Sequence, residues 1–539
     1  MIKRLLLSAI TILSVVCSFA QETTSQIQGT VVTDAKAALA GATVVALHTP
    51  TGTRYTTTTR KDGHYNLPGL RVGGPYTLTV TYVGFKTEKQ ENITLVLGQD
   101  FYGDFAMIPE AKELQATVVS ATRQNKIFNN SHTGTQEIIT QAQLEQLPTV
   151  TRSIQDFTRL EPTAASSSGG LSFAGTNPGE NNVTVDGADF NNSFGLASTL
   201  GGQANAQPIA LDAIEQLQVN LSPYDVRQGG FTGAGVNSVT RGGTNTFRGT
   251  VYDYVKGPGT QGYKVDDAVV AKTPFTYNIL GASLGGAFIP NKLFFFINAE
   301  EDLQSAPATG YIASDPTHPV TPGSVSQVSA DSLQMVQQYL ESTYKYNPGA
   351  YQAYSFKTNS YKINTRVDYN INPDNVLSLK YNYLKSYADQ FASTSRSLGA
   401  SGLITGGQPG NQSLPFSGSG YRINNDLNIY IAELNTRFGN SASNKLQVGY
   451  TRERDFRTPQ SSSPDFPLVD ILANVTPGVP GTGNIATTLQ YYIDTICTET
   501  CLSHLVKQTF YWEDHIRSFV LFRLFNIGSV NKKTYYQNK

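Results

Sequence analysis

The sequence predicts a mainly β chain: a seven-stranded sandwich, then an α/β unit, then the first part of a transmembrane antiparallel β-barrel. Three observations carry that expectation. The first is strict alternation over residues 359–386. Tyr361, Ile363, Thr365, Val367, Tyr369 and Ile371 interleave with Lys362, Asn364, Arg366, Asp368 and Asn370. After an Asn-Pro-Asp-Asn turn, Leu377, Leu379, Tyr381 and Tyr383 interleave with Ser378, Lys380 and Asn382. Successive side chains of a strand point to opposite faces, so this is a hairpin with one apolar, tyrosine-rich face and one charged face. Strands of about ten residues with aromatics on the apolar side suit an outer-membrane barrel, whose apolar face meets lipid. A soluble sandwich makes the same alternation with the apolar face turned to its core. The second observation is the amino terminus. Lys3 and Arg4 precede an apolar run from Leu5 to Val16, and Ser18-Phe19-Ala20 offers a cleavage site before Gln21. Residues 1–20 therefore read as a secretory signal peptide, cleaved near Ala20 and too short to span a membrane. Cys17 follows Val16, a poor neighbour for lipoprotein processing. The third is composition. Charged residues are 15% of the chain, with 48 Gly, 29 Tyr and 26 Phe. After the signal no apolar run is long enough for a membrane helix, which leaves strands to do any crossing.

A net charge of -1 argues against a nucleic-acid partner. Cys17 lies in the signal, and Cys497 and Cys501 lie near the end. A secreted chain with no cysteine between suits a bacterial envelope protein better than a disulfide-stapled one.

Residues 24–108 read as the sandwich. Ile27, Val31, Val44, Ala46, Tyr65 and Leu67 fall on short strands, and Tyr76, Leu78, Val80 and Tyr82 alternate with threonines. Asp62-Gly63 marks a turn. The run QGTVVTDAKAALAGATVVAL followed by KDGHYNLPGLRVGGPYTLTVTYVGFK resembles the carboxypeptidase regulatory-like domain, a transthyretin-like fold also called carbohydrate-binding-like. Ala38 stands where that family often has Gly. The resemblance does not imply peptidase activity, because no paired His and Glu set is present. His48 and His64 sit alone and read as solvated, and no aromatic platform for a glycan is evident.

Residues 113–245 form the second region. ELQATVVSATR reads as a β-prone linker strand or as an extended segment captured by a partner's sheet edge. Thr140 is placed to cap a helix through Leu147, stopped by Pro148, and Ser153 to start another through Leu160. Val183-Thr184-Val185 runs into the turn pair Asp186-Gly187. Gly229, Gly230, Gly233 and Gly235 precede a strand rather than a helix, which does not fit a phosphate loop. QLEQLP, SIQDFTRLEP, NNVTVDGADFNN, AIEQLQV and GGFTGAGVNSVTRGGTN together resemble the plug domain of TonB-dependent outer-membrane receptors. In that light Thr117, Val118, Val119, Ser120 and Ala121 resemble the energy-coupling box that TonB binds. Asn182, Asp186, Gly187, Gly235, Arg241, Gly242 and Gly243 resemble the plug's structural motif.

Residues 246–487 then read as a partial outer-membrane barrel. FRGTVYDYVKG, YNILGASLGG, NKLFFFINAEED, the hairpin above, NIYIAELNTRFG and NKLQVGYTRE all alternate, and 304–350 and 388–420 read as long outward loops. LGASLGGAFIPNKLFFFINAEED resembles the Oar-like branch of the receptor family, whose members carry the same amino-terminal sandwich. Receptors of this type close barrels of about 22 strands; seven or eight candidates are readable here. From about Thr488 the character changes, so residues 488–539 read as an atypical tail, out of frame or divergent, on a carboxy-terminally truncated chain. Cys497, Cys501 and His504 there make a weak metal pattern with no second pair to complete it. No catalytic constellation, metal set or cofactor motif is read. The resemblance implies an outer-membrane receptor of a Gram-negative bacterium, contacting lipid and TonB, that imports a small ligand, peptide or glycan. The competing expectation is a secreted or surface β-sandwich adhesin or carbohydrate-binding protein without transport.

Overall fold

A computed structural model describes residues 23–110 and 135–461 with short breaks, the longest being 192–203, 222–230 and 393–407, and beyond them the strand backbones 469–473, 484–489 and 519–525. The sandwich consists of β1 (Thr24–Thr33), β2 (Thr43–His48), β3 (Thr53–Thr58), β4 (His64–Arg71), β5 (Gly73–Thr81), β6 (Glu88–Leu95), β7 (Asp100–Tyr102) and β8 (Phe105–Met107). One sheet runs β4-β1-β7 with β8 also on β1, and the other β3-β2-β5-β6. Between them Ile27, Val31, Val44, Ala46, Leu67, Tyr76, Leu78 and Val80 form a closed core. Eight strands stand where seven were expected, because the last edge is split. β7 and β8 both run parallel to β1, and Gly103 lies between them. There the Tyr65 hydroxyl donates to the Gly103 carbonyl at 2.5 Å. That carbonyl also lies so close to Gly29 that a Cβ on Gly29 would strike it.

The middle unit starts with β9 (Thr135–Thr140) and the helices Gln141–Gln146 and Ile154–Thr158. Both helices start at the expected caps. Thr140 N donates to the Gln143 side chain, and Ser153 Oγ accepts from Asp156 N. The second helix ends at Thr158, short of the expected Leu160. A hairpin, β10 (Ala164–Ser167) and β11 (Gly170–Phe173), leads to β12 (Asn182–Val185), β13 (Ala188–Asp189), β14 (Ile214–Leu221) and β15 (Ala234–Thr240). The sheet order is β13-β12-β15-β14-β9, with β12 parallel to β15.

The outer sheet begins with β16 (Arg248–Lys256) and, after a separate small hairpin of β17 (Lys264–Val265) and β18 (Ala268–Val269), continues with β19 (Thr276–Ile289) and β20 (Leu293–Pro307). β21 (Ile312–Ser314) and β22 (Val325–Ser329) form a short parallel pair in the next loop. The long strands resume with β23 (Ser355–Asn372), β24 (Asn375–Gln390), β25 (Tyr421–Phe438) and β26 (Ala442–Pro459). β27 (Val469–Ala473) pairs with β28 (Asn484–Leu489), and β29 (Phe519–Phe525) adds to β26. The eight-stranded order is β16-β19-β20-β23-β24-β25-β26-β29, and each neighbouring pair is antiparallel. Among the described residues its two ends are not joined to each other. Strands of 18 residues at roughly 3.4 Å each exceed the ~30 Å of a bilayer's hydrocarbon core.

Burial decides between the two readings of the hairpin. The charged face is covered: Lys362 is 3% exposed, Arg366 8%, Asp368 4% and Lys380 5%. The apolar face is open: Tyr361 is 37% exposed, Ile363 38%, Ile371 43% and Leu379 47%. A soluble sandwich would show the reverse. What covers the charged face is the middle unit, whose core of Ile139, Phe157, Val185, Leu217, Val219 and Val236 continues into Phe296, Leu384, Leu427, Ile429 and Ile431 of the outer sheet.

The expected loop 304–350 is partly ordered. β20 reaches Pro307, and a helix spans Ala330–Tyr344. It buries Leu333 and Leu340 in a small core with Ala313, Val328, Tyr346, Leu414 and Phe416. Its apolar positions are diluted by Ser and Gln, so the helical period was weak in the sequence. Gln327 N to Asn411 O and Ser417 N to Ala350 O, both 2.7 Å, tie this cap to the loop before β25.

His48 is buried rather than solvated. Its Nδ1 lies 2.6 Å from Thr51 Oγ1, and its ring packs 4.7 Å from that of Tyr76. Burial, then the positive charge of Arg71, lower its pKa from 6.5 to about 3, while Asp368 pulls the other way. The unfolded chain therefore takes up a proton that the folded sandwich refuses. Its contribution is level above pH about 6.5 and falls toward pH about 3, by up to ~1.4 kcal/mol per pH unit. Denaturant titrations of the protein and of His48→Gln at pH 7 and 5 should show a smaller acid loss in the variant. Leu379→Arg should cost about 2–4 kcal/mol in a bilayer if placed near its midplane, where a soluble surface would tolerate it; outer-membrane yield and heat-modifiable migration report it.

Candidate functional site

The site is where the chain leaves the middle unit for the outer sheet. β12 closes onto β13 through Asp186 and Gly187, with φ of 52° and 77°. A two-residue hairpin of this sort requires left-handed backbone at both central positions, which Asp-Gly supplies. The turn points the Asp186 carboxylate inward, where it is fully buried. There it accepts from Thr240 N at 3.1 Å and Thr240 Oγ1 at 2.6 Å, so the end of β12 is locked to the end of β15.

The outer sheet supplies the counter-charges. Lys380 Nζ lies 3.2 Å from Asp186 Oδ1 and 3.2 Å from Glu433 Oε2. Arg366 donates to the Thr240 carbonyl at 2.7 Å and pairs with Asp368 at 2.9 Å. Gln447 donates to the Asp186 carbonyl at 3.1 Å, and Ser378 Oγ to Asp368 at 2.6 Å. The sandwich adds a third cation, Arg71, 3.4 Å from Asp368. Thr23 donates to Glu433 at 3.1 Å, and Lys445 stands 3.9 Å from it. Buried charges are tolerated when each has an opposite partner and its remaining valences are filled. Here Lys380, Arg366 and Arg71 meet Asp186, Asp368 and Glu433. Beside them lies a cavity of about 40 Å³ of mixed lining, bordered by the polar Thr51, Arg71, Asp368 and Lys380 and by the apolar Val239 and Phe294. That volume suits water rather than a substrate. Burial raises the Tyr55 hydroxyl above its ordinary pKa, against the pull of Arg71 and Arg437.

The glycines after β15 give this network its room. A Cβ on Gly242 would strike the Arg71 guanidinium and crowd Asp368, and one on Gly243 would strike the carbonyls of Gly286 and Phe295. Arg241 donates to the Asp212 carbonyl at 3.3 Å and lies over the Phe296 ring. A second clasp follows: Arg152 pairs with Asp212 at 3.2 Å and stacks on Tyr252 and Tyr254 of β16. Burial raises the Asp212 carboxyl, with Arg152 opposing.

Of the residues singled out in the sequence, Asp186, Gly187, Arg241, Gly242 and Gly243 come together here. Asn182 and Gly235 face each other across the β12–β15 ladder, at its far end from the Asp186 turn. Thr117, Val118, Val119, Ser120 and Ala121 lie outside the described residues, as do Cys497, Cys501 and His504. Missed were the partners: Arg71, Arg366, Asp368, Lys380 and Glu433. Four of these stood on the charged faces of alternating strands, and that placement was their only signal.

Asp186→Ala removes one of the two carboxylates on Lys380 and the acceptor of the Thr240 amide, and should cost about 3 kcal/mol. Adding Lys380→Met should recover part of that loss. Hydrogen exchange over 182–186 and 234–240 measures both.

A family model described as an outer membrane beta barrel domain matches residues 239–517, just over half of the chain. A second, the carboxypeptidase regulatory-like domain, matches residues 26–108. The TonB-dependent transporter Oar of Myxococcus xanthus is 29% identical over 294 residues, which is 52% of this chain and 26% of that protein. The chain thus spans about a quarter of that curated relative's length. Loose likenesses among solved structures include the outer membrane transporter YddB from Escherichia coli, at 13% identity and TM-score 0.38, covering 60% of this chain and 40% of that one. The siderophore receptor PirA from Pseudomonas aeruginosa gives 13% identity and TM-score 0.36, covering 60% and 42%. The chain belongs to the outer-membrane β-barrel family and carries a carboxypeptidase regulatory-like sandwich ahead of its barrel sheet.

Proposed function

We propose that this protein is a receptor of the bacterial outer membrane that imports a ligand past a plug, driven by TonB and the proton-motive force. The middle unit, residues 113–245 with its linker, is that plug. Residues 246–487 are the barrel portion and 24–108 the sandwich. The observation that carries the reading is the inverted burial of the strands, charge inward against the middle unit and tyrosine and leucine outward. An adhesin of soluble sandwiches would need the opposite orientation. The resemblance of the relative named as a TonB-dependent transporter supports the same class. The ligand is a small molecule, peptide or glycan, and no catalysis is part of the proposal.

Thr117 to Ala121 is the coupling segment in this reading. It stands in sequence between β8 and β9, and among the described residues β9 is an edge strand of the middle sheet, paired with β14. An edge strand comes away by breaking one ladder, which makes it a workable point of entry for a pull. A strand-like segment ahead of it is suited to pairing with a partner's sheet edge.

The test is site-specific cross-linking from a cysteine at Val118 to the periplasmic domain of TonB in intact cells. Cross-links should form, and a Val119→Pro change in the same chain should reduce them at least tenfold. Cross-linking that is absent, or indifferent to the proline, would remove TonB from the account.

A further inference from the structure

The sandwich is attached to the rest of the molecule by contacts its own fold does not need. β14 carries Gln216, Gln218 and Asn220 on one face, each 1% exposed. A strand face of that composition ordinarily stands in water. Here the main chain of the sandwich covers it. Gln216 Oε1 accepts from Leu97 N at 2.9 Å, and its Nε2 donates to Leu95 O at 2.8 Å. Gln218 Nε2 donates to Leu97 O at 3.3 Å and also to Gln136 Oε1 of β9 at 3.2 Å. Val72 and Leu97 close against Val239 of β15 in a small apolar cluster.

The sandwich is also bonded to the barrel sheet and to the segment that leads into it from β15. Arg71 reaches Asp368 and the Gly243 carbonyl, each at 3.4 Å. Asn245 N donates to Pro50 O at 2.8 Å, and Asn370 Nδ2 to Thr53 Oγ1 at 2.9 Å. The Arg437 guanidinium lies 5.1 Å over the Tyr55 ring. One small domain thus grips both bodies whose separation transport would require.

We propose that the sandwich is a stop for the plug: while docked it holds β14 and the end of β15 against the barrel, and the plug moves only after it lets go. The proposal rests on the reading of the middle unit as a plug. Its coupling element is Gln218, which bonds β9 on one side and the sandwich on the other. Stripping β9 from β14 takes away one of the two acceptors of its Nε2, while Asn237 of β15 still donates to its Oε1 at 3.4 Å. The linker from β8 to β9 joins the two ends that must part, so tension within it loads the sandwich and the edge strand together.

The experiment uses the full chain with a specific protease site inserted in the linker between 111 and 134. After cleavage the sandwich should remain bound to the detergent-solubilised barrel. It should leave at least tenfold faster from the triple variant Arg71→Ala, Gln216→Ala and Gln218→Ala. Prompt release from the parent, or equal retention by the variant, overturns the docking. Hydrogen exchange over β2 and β5 checks that the variant's sandwich is folded; if it is not, Gln216→Ala alone is scored by the same release rate. The stop itself is read by pulling on a handle at Val119→Cys with no TonB present. The force that extracts the plug should fall in the variant, and an unchanged force overturns the stop. Because TonB is absent, a lowered force together with a failed TonB cross-link would reject the TonB reading and keep the stop.

Discussion

Lys380 is the charge on which the interior depends. It lies on the covered face of a barrel strand, nearly out of reach of water, with the Asp186 and Glu433 carboxylates each 3.2 Å away. An ammonium in that position is stable only with both partners in place. Asp186 is in place because an Asp-Gly pair adopts the left-handed turn after β12, and because Thr240 holds its carboxylate from β15. Glu433 is in place because β25 pairs with β24 in the register Ser378 to Glu433 and Lys380 to Ile431. The Asp-Gly turn of the middle unit and the register of the outer sheet therefore specify each other.

The same alternation serves the opposite surface. One step from Lys380, the Tyr381 ring stacks on Tyr430 at 4.8 Å, facing outward. A one-residue slip would send the tyrosines inward and the lysine into lipid, so register is under heavy constraint from both sides. Gly242 extends the constraint to the sandwich. It leaves the space through which Arg71 reaches Asp368, and three units share one ion network.

Much of this was legible in the sequence and some was not, for physical reasons. Period two marked the long strands, the Thr140 and Ser153 caps marked two short helices, and Asp-Gly marked the turn. Periodicity alone does not say which face is buried, so the hairpin at 359–386 fitted lipid or a core until its neighbours were placed. Nor does it name partners: Arg366 meets a carbonyl 126 residues away. Arg71 looked like any arginine ending a sandwich strand, and His48 like a solvated side chain, because their environments are made by other units. Gln216 and Gln218 carried no signal of their own, and their burial follows from the sandwich main chain that bonds them.

The barrel strands turn their charged face to the middle unit and their apolar face outward. Nitroxide labels at each position from 361 to 371 in the membrane-embedded protein, with collision rates for oxygen and for a water-soluble nickel chelate, test this orientation most directly. The account predicts oxygen maxima at 361, 363, 365, 367 and 369, with low access to both reagents at 362, 364, 366 and 368. Oxygen maxima at the even positions, or nickel access at the odd ones, would contradict it.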